Sequence, residues 1–505
     1  MHQYKYSRLA ATRRGALFLP LLITATILAQ TTAPTTHPAE STKLSTTHHT
    51  ITLAGKPLSY TATAGPLAMQ DETGKPQADL FYVAYDADGT TDPATRPITF
   101  LFNGGPGAAA VWLHLGAAGP KTIELDDHDL PIGPPYRLTD NSSTWLTASD
   151  LVFIDPVSTG YSRPAPGEKA DQFHGVRPDI ESVSAFIRLY LTKNRRWASP
   201  IYLVGESYGT TRAAALADQL AQRYGIAVNG VILISSVLDF QALLSNPGND
   251  LPCELYLPSY AAVAWQHQKL APPLQADFNK TIDEARAFAV NQYAPALSQG
   301  TALPPDQRAE IIKQLSTFTS LPPDMIDRSN LRIDPSLFEK ELLGDGHHII
   351  GRFDARIIGY DPDAIHHAPS FDPSLDYYLP AYSSTFNDYV RRELKYENDL
   401  PYEVLTDRVQ PWNLGEENGG YLYVIDDLQS AMLHNPHLRV MFVSGYFDLA
   451  TPFFSADYTI DRMNLDPTLR PNITHEYFPT GHMVYHDHDS KQKLADDVAE
   501  FIHPE

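Results

Sequence analysis

The chain has 505 residues, 43% of them hydrophobic, which suits a large core with an insertion and excludes a disordered protein. Its formal net charge of −22 argues against nucleic acid and anionic membrane surfaces as partners. One cysteine, Cys253, excludes an intrachain disulfide, and no spaced Cys/His set of the zinc-site kind is present. No metal or cofactor is expected, and Cys253 reads as a small buried hydrophobe.

Residues 1–29 read as a signal peptide. Lys5, Arg8, Arg13 and Arg14 form a basic stretch, and Ala16 to Ala29 is an uncharged apolar run too short for a comfortable membrane span. The expectation is export to the periplasm or beyond, with cleavage near Ala29 and no integral membrane span afterwards. Arg13-Arg14 leaves a twin-arginine route open. Residues 30–48, rich in Thr, Pro, Ser and His, read as a flexible linker in which His48-His49 is solvated.

Alternation begins near Thr50, and Leu58 to Ala64 and Leu80 to Tyr85 read as strands of an opening meander. Ile98 to Phe102 is an apolar strand running into Asn103-Gly-Gly-Pro-Gly107, and Leu151 to Ile154 is another. Asp179 to Leu191 has helical spacing, Ile201 to Val204 is a buried strand, Thr210 to Tyr224 an Ala-rich helix and Val231 to Ile234 a strand. This rhythm predicts a mostly parallel sheet flanked by helices. It breaks after about Phe240 and returns at Arg439 to Val443 and Thr474 to Phe478, with a last helix over Ser490 to Ile502. The expected organisation is a core of 49–240 and 421–505 with an inserted, mainly helical cap over 241–420.

Gly205-Glu-Ser-Tyr-Gly209 fits G-x-S-x-G between an apolar strand and a helix of small residues. In such an elbow the serine sits on a strained strand-to-helix turn and the glycines leave room for crossing backbones. Ser207 is therefore the expected nucleophile of an α/β-hydrolase fold. A serine hydroxyl needs a base, a group that orients the base, and donors for the oxyanion. In this fold the acid and then the histidine follow the serine in the chain. Asp448, in Ser444-Gly-Tyr-Phe-Asp448, lies just past a strand end, where open α/β sheets carry their chemistry. His482, in Gly481-His-Met483, follows the next strand. His486, His488, His347-His348 and His366-His367 are weaker candidates by context, and Asp155 precedes the serine.

Together, Asn103-Gly-Gly-Pro-Gly107, the run from Trp145 to Asp155-Pro-Val-Ser-Thr-Gly-Tyr-Ser162, Gly205-Glu-Ser-Tyr-Gly209, Ser444-Gly-Tyr-Phe-Asp448 and Gly481-His-Met-Val484 resemble the serine carboxypeptidase family. They fall in the family order across most of residues 80–490. The resemblance implies a Ser207–Asp448–His482 triad and an oxyanion hole from the N–H groups of Gly105 and Tyr208. It also implies that the substrate's C-terminal carboxylate is held by Asn103, Gly104 and Glu206. A glutamate there needs a proton, since two carboxyl groups sharing one bond well while two charged ones repel. The sequence departs from the family at Leu101, usually Trp, at Ala117, usually acidic, at Ala108, usually Cys, and at Tyr485, usually Pro. The first two thin the network around the bound carboxylate.

The expected function is an exported serine-type carboxypeptidase that releases C-terminal residues from peptides through an acyl-enzyme, without cofactor. The alternative is an esterase, amidase or acyltransferase on the same triad.

Overall fold

The computed structural model describes residues 43–89, 92–415 and 420–504. The expected signal peptide and most of the expected linker lie outside these residues. The linker ends earlier than its composition suggests. Strand β1 (Ser45–Leu53) pairs antiparallel with β2 (Lys56–Gln70), and His49 stacks on Tyr60 with ring centroids 5.4 Å apart. His48 and His49 are thus sheet residues, because alternate side chains of β1 bind across to β2.

β3 (Pro76–Ala87) completes the meander, and β4 (Ile98–Phe102) starts the parallel core. A small hairpin of β5 (Lys121–Ile123) and β6 (Leu138–Asp140) follows, then β7 (Asp150–Ile154) and the short β8 (Arg163–Pro164). β9 (Ile201–Glu206), β10 (Gly230–Ile234), β13 (Arg439–Gly445) and β14 (Ile473–Phe478) finish the sheet, and β11 (His348–Ile350) and β12 (Ile358–Tyr360) form a hairpin in the insertion. The main sheet runs β1-β2-β3-β7-β4-β9-β10-β13-β14, antiparallel as far as β7 and parallel beyond it. β4, β7 and β10 are buried along their whole length, as strands covered on both faces must be.

Helices α1 (Val176–Lys193) and α2 (Tyr208–Tyr224) cover one face of the sheet, where Val183, Phe186 and Leu216 meet Phe100 and Leu203. The other face is closed by the last helix, through Leu494 and Val498, and by the helix Leu379–Arg392, through Tyr382 and Phe386. The segment between β10 and β13 is mainly helical. Its first half has its own core, in which α3 (Leu251–Gln266) packs with Phe338, Phe447 and Leu449. Its later part lies along the sheet domain, where Glu403 bridges Gly160 and Leu405 bridges Ala108. This is an α/β-hydrolase fold, with the parallel strands β4, β9, β10 and β13 pointing their carboxyl ends at one region.

Candidate active site

Ser207 stands between β9 and α2 with φ +58° and ψ −130°. A non-glycine residue in that region costs about 1–3 kcal/mol and persists only where the surroundings enforce it. Here the Ser207 N–H donates to the Ile234 carbonyl (3.0 Å), and the Thr210 hydroxyl donates to the Ser207 carbonyl (2.6 Å). The glycines matter for closeness. A Cβ on Gly209 would sit 2.7 Å from the Phe102 carbonyl oxygen, and one on Gly104 would sit 2.7 Å from the Glu206 carbonyl oxygen and nearer still to the Tyr208 nitrogen. The loop after β4 is therefore pressed onto the elbow. Gly105 adds a positive φ of +100°. Gly104, Gly105 and Tyr208 line one open cavity of roughly 170 Å³ together with Asn103, Glu206, Ser207 and His482.

Asp448 is fully buried beyond the end of β13. Its Oδ1 accepts from the N–H groups of Ala450 (2.7 Å) and Thr451 (2.9 Å). Its Oδ2 accepts from the Thr451 hydroxyl (2.6 Å) and from Nδ1 of His482 (2.7 Å). Those bonds orient the imidazole. Nε2 of His482 has no hydrogen-bond partner among the described residues, as suits a group that is to take a proton from Ser207 or a substrate. Burial disfavours the imidazolium, but the Asp448 and Glu206 carboxyls outweigh it and raise the His482 pKa. The loop carrying His482 is itself fixed, since the Ser235 hydroxyl donates to the His482 carbonyl (2.6 Å).

Asn103 and Glu206 are joined. The Asn103 amide donates to Glu206 Oε1 (2.8 Å), and its own carbonyl oxygen accepts from the Leu113 N–H (3.1 Å). Glu206 Oε2 is buried with no hydrogen-bond partner among the described residues. Burial pushes the Glu206 pKa up to about 7, against the opposing pulls of His482, Tyr485 and Asn103. A carboxyl poised this way can donate a proton to an incoming carboxylate in mildly acidic water. Leu101 is buried in the sheet, and Ala117 lies in a buried one-turn element. Tyr485 is buried, and its hydroxyl favours the charged form of Glu206. A Cβ on Gly116 would strike the Tyr485 ring, which shows how close that loop runs.

The weaker candidates lie elsewhere. His486 is buried, accepts or donates with the Tyr382 hydroxyl (2.9 Å) and stacks on Tyr378 with centroids 3.8 Å apart. His488 opens the last helix. His347 donates to the Asp361 carbonyl (2.9 Å), His348 pairs with Asp345, and His366 pairs with Asp363. His367 is exposed beside it. Asp155 accepts the Ala110 N–H (2.8 Å) and so braces the loop after β4.

Sequence reading missed the supports. Arg212 of α2 is buried, pairs with Asp179 of α1 (2.8 Å) and donates to the Asn103 carbonyl (2.7 Å). It thereby locks the loop that carries Asn103 to Gly105. The available signal was an arginine set among the small residues of a helix facing a sheet, where a charge is retained only when paired. Arg352 and Phe353, from the insertion, also line the cavity, and nothing in the local sequence marks them.

A sequence profile described as serine carboxypeptidase matches residues 55–483. Among curated proteins, the chain is 24% identical over 301 residues to serine carboxypeptidase-like 44 of Arabidopsis thaliana, covering 57% of this chain and 55% of that one. It is 25% identical over 167 residues to serine carboxypeptidase-like 8 of the same plant, covering 31% and 36%. The chain thus spans between about a third and just over half the length of these relatives. Among solved structures, Kex1(delta)p, a prohormone-processing carboxypeptidase from Saccharomyces cerevisiae, superposes with a TM-score of 0.52 at 15% identity, over 87% of this chain and 90% of that one. That likeness concerns the fold. The profile match over most of the chain, set beside the elbow, the Asp448–His482 bond and the Asn103–Glu206 pair, shows that this protein belongs to the serine carboxypeptidase family.

Proposed function

We propose that the protein is an exported serine carboxypeptidase that removes the C-terminal residue of a peptide through an acyl-enzyme. The observation that carries this reading is the Asn103–Glu206 pair in the same cavity as Ser207 and His482. It supplies one amide and one protonatable carboxyl beside the nucleophile, which suits a terminal carboxylate. In the first step the Ser207 oxygen bonds to the scissile carbonyl carbon while its proton passes to Nε2 of His482. The oxyanion takes hydrogen bonds from the N–H groups of Gly105 and Tyr208, a contribution worth about 10²–10³ in kcat per donor. The proton then moves to the leaving nitrogen, the C–N bond breaks, and water releases the acyl group by the reverse path. Asp448 keeps the imidazole in its working tautomer. Export is the part carried by residues 1–29 alone, and N-terminal sequencing of the fractionated protein tests it.

The deciding assay offers a blocked dipeptide as the free acid and as the C-terminal amide. The carboxypeptidase reading expects kcat/KM for the acid to exceed that for the amide by about 100-fold, the scale of a charge-assisted bond in a dry site. Equal rates on both would move the protein to the esterase or amidase class.

A further inference from the structure

The turn of the β11–β12 hairpin reaches out of the insertion into the active site. It is bound to the two loops that carry Asp448 and His482. The Leu449 N–H donates to the Arg352 carbonyl (3.0 Å), the Ala355 N–H to the Phe447 carbonyl (3.0 Å), and the His482 N–H to the Phe353 carbonyl (2.6 Å). From behind, the Arg352 N–H donates to Asp372 Oδ1 (3.2 Å), and the Phe353 N–H to the Ser374 hydroxyl (3.0 Å). The Phe353 ring lies edge-on to His482 at 5.0 Å. The backbone of this turn is therefore as firmly placed as the catalytic loops themselves.

The side chains of the turn are used unequally. Arg356 is spent on Asp354, which it contacts at 2.7 Å. Arg352 is exposed and lines the cavity with Ser207 and Glu206. Among the described residues its guanidinium makes no ion pair or hydrogen bond, and its one ring contact is with the adjacent Phe353 (5.3 Å). Two carboxyls feel it, Glu339 and Asp372. Burial raises both of their pKa values, that of Glu339 well above the ordinary range, and neither carboxyl bonds the guanidinium; Asp372 instead accepts from the Arg352 and Ser374 N–H groups. The rest of the cavity wall is largely apolar, with Trp112, Val237, Phe240, Leu243 and Leu405. A guanidinium carried on a fixed backbone beside such a wall is free to pair with a carboxylate there, and binds it more strongly than it would in open water.

We propose that Arg352 is a specificity-determining residue that selects peptides bearing a carboxylate side chain on a residue flanking the scissile bond. The assignment rests on the carboxypeptidase reading and deepens it. It concerns the substrate's side chain, whereas Asn103 and Glu206 concern its terminal carboxylate.

The test uses matched N-blocked peptides with free C-termini. Each carries Glu or Gln either as the C-terminal residue or as the residue before it. They are assayed with the wild type, R352Q and R352K at low and high salt. The wild type should favour Glu over Gln by about ten-fold or more at one of the two positions, and less so at high salt. R352Q should bring that ratio within about two-fold while the Gln peptides keep kcat/KM within about three-fold of wild type. R352K should restore part of the preference. Overturning results are a wild type indifferent to Glu and Gln, or an R352Q that loses activity equally on all four peptides. The second would assign Arg352 to the terminal carboxylate or to the fold. A wild type that cleaves none of the peptides would remove the carboxypeptidase reading and this assignment together.

Discussion

Two serine–histidine–aspartate sets draw on β13, β14 or the segments that follow them, and they differ in everything but residue type. In one, His482 bonds Asp448 at 2.7 Å and shares a cavity with Ser207. In the other, Nε2 of His475 is 2.9 Å from the Ser444 hydroxyl, and its Nδ1 is 3.0 Å from Asp457. By side-chain distances alone the second set is the more complete. Yet Ser444 sits in the run of a strand, 2% exposed, and does not line the cavity. Asp457 is also taken up by Arg286 (2.7 Å) and by the Tyr477 hydroxyl. Ser207 instead stands on a positive-φ turn, with the N–H groups of a helix start and a glycine loop beside it. Three side chains in a row do not make a nucleophile. Access and preorganised donors for the oxyanion do.

The sharpest way to break this contrast is to remove each serine. Ser207→Ala should lower kcat by about 10⁴–10⁶-fold and abolish labelling by a fluorophosphonate. Ser444→Ala should leave kcat/KM within about three-fold and labelling intact. A labelled Ser207→Ala protein would transfer the nucleophile to another serine.

The acids should separate in the same manner but by different readouts. Asp448→Asn should cost about 10⁴-fold in kcat with the fold intact, because the imidazole loses its tautomer. Asp457→Asn should cost about 1–3 kcal/mol of stability in thermal melts, because it leaves Arg286, Tyr477 and His475 short of a partner, with little change in kcat.

A smaller effect concerns pH. Glu206 is raised to about 7, so it holds its proton below that value and loses it above. A substrate carboxylate is then met by a donor at mildly acidic pH and by a like charge at alkaline pH. The kcat/KM for a free-acid peptide should fall above about pH 7. In Glu206→Gln the alkaline fall should disappear, since the amide does not ionise. His482 should set the acid limb in both proteins, because a base must be neutral to act, and its raised pKa should move that limb upward. As the two groups interact, the measured limbs belong to the pair. Activity that keeps rising to pH 8 in both proteins would sink the protonated-Glu206 mechanism.

The smallest expected change is in Tyr485→Phe. The Tyr485 hydroxyl favours charged Glu206, so its loss should raise the Glu206 pKa and move the alkaline limb to higher pH by a few tenths of a unit. A limb that moves the other way, or only a change in stability, would show that Tyr485 serves packing alone.

Much of this is legible in the sequence. Local sequence determined the sheet rhythm, the elbow at Ser207 and the order in which Asp448 and His482 follow it. Those features depend on hydrophobic period and on glycines at fixed offsets, which act over a few residues, and on the chain order of the motifs, which is read directly. Tertiary structure decided the rest. It turned His48 and His49 into sheet residues, because strand pairing with β2 overrides a loop-like composition. It closed Ser444 off behind a second histidine and opened Ser207 to a cavity, which no spacing along the chain distinguishes. It also brought Arg212 under Asn103 and Arg352 beside His482 across 109 and 130 positions of chain. Such contacts arise when separate elements pack, and their energy depends on burial and on partners that are far away in sequence.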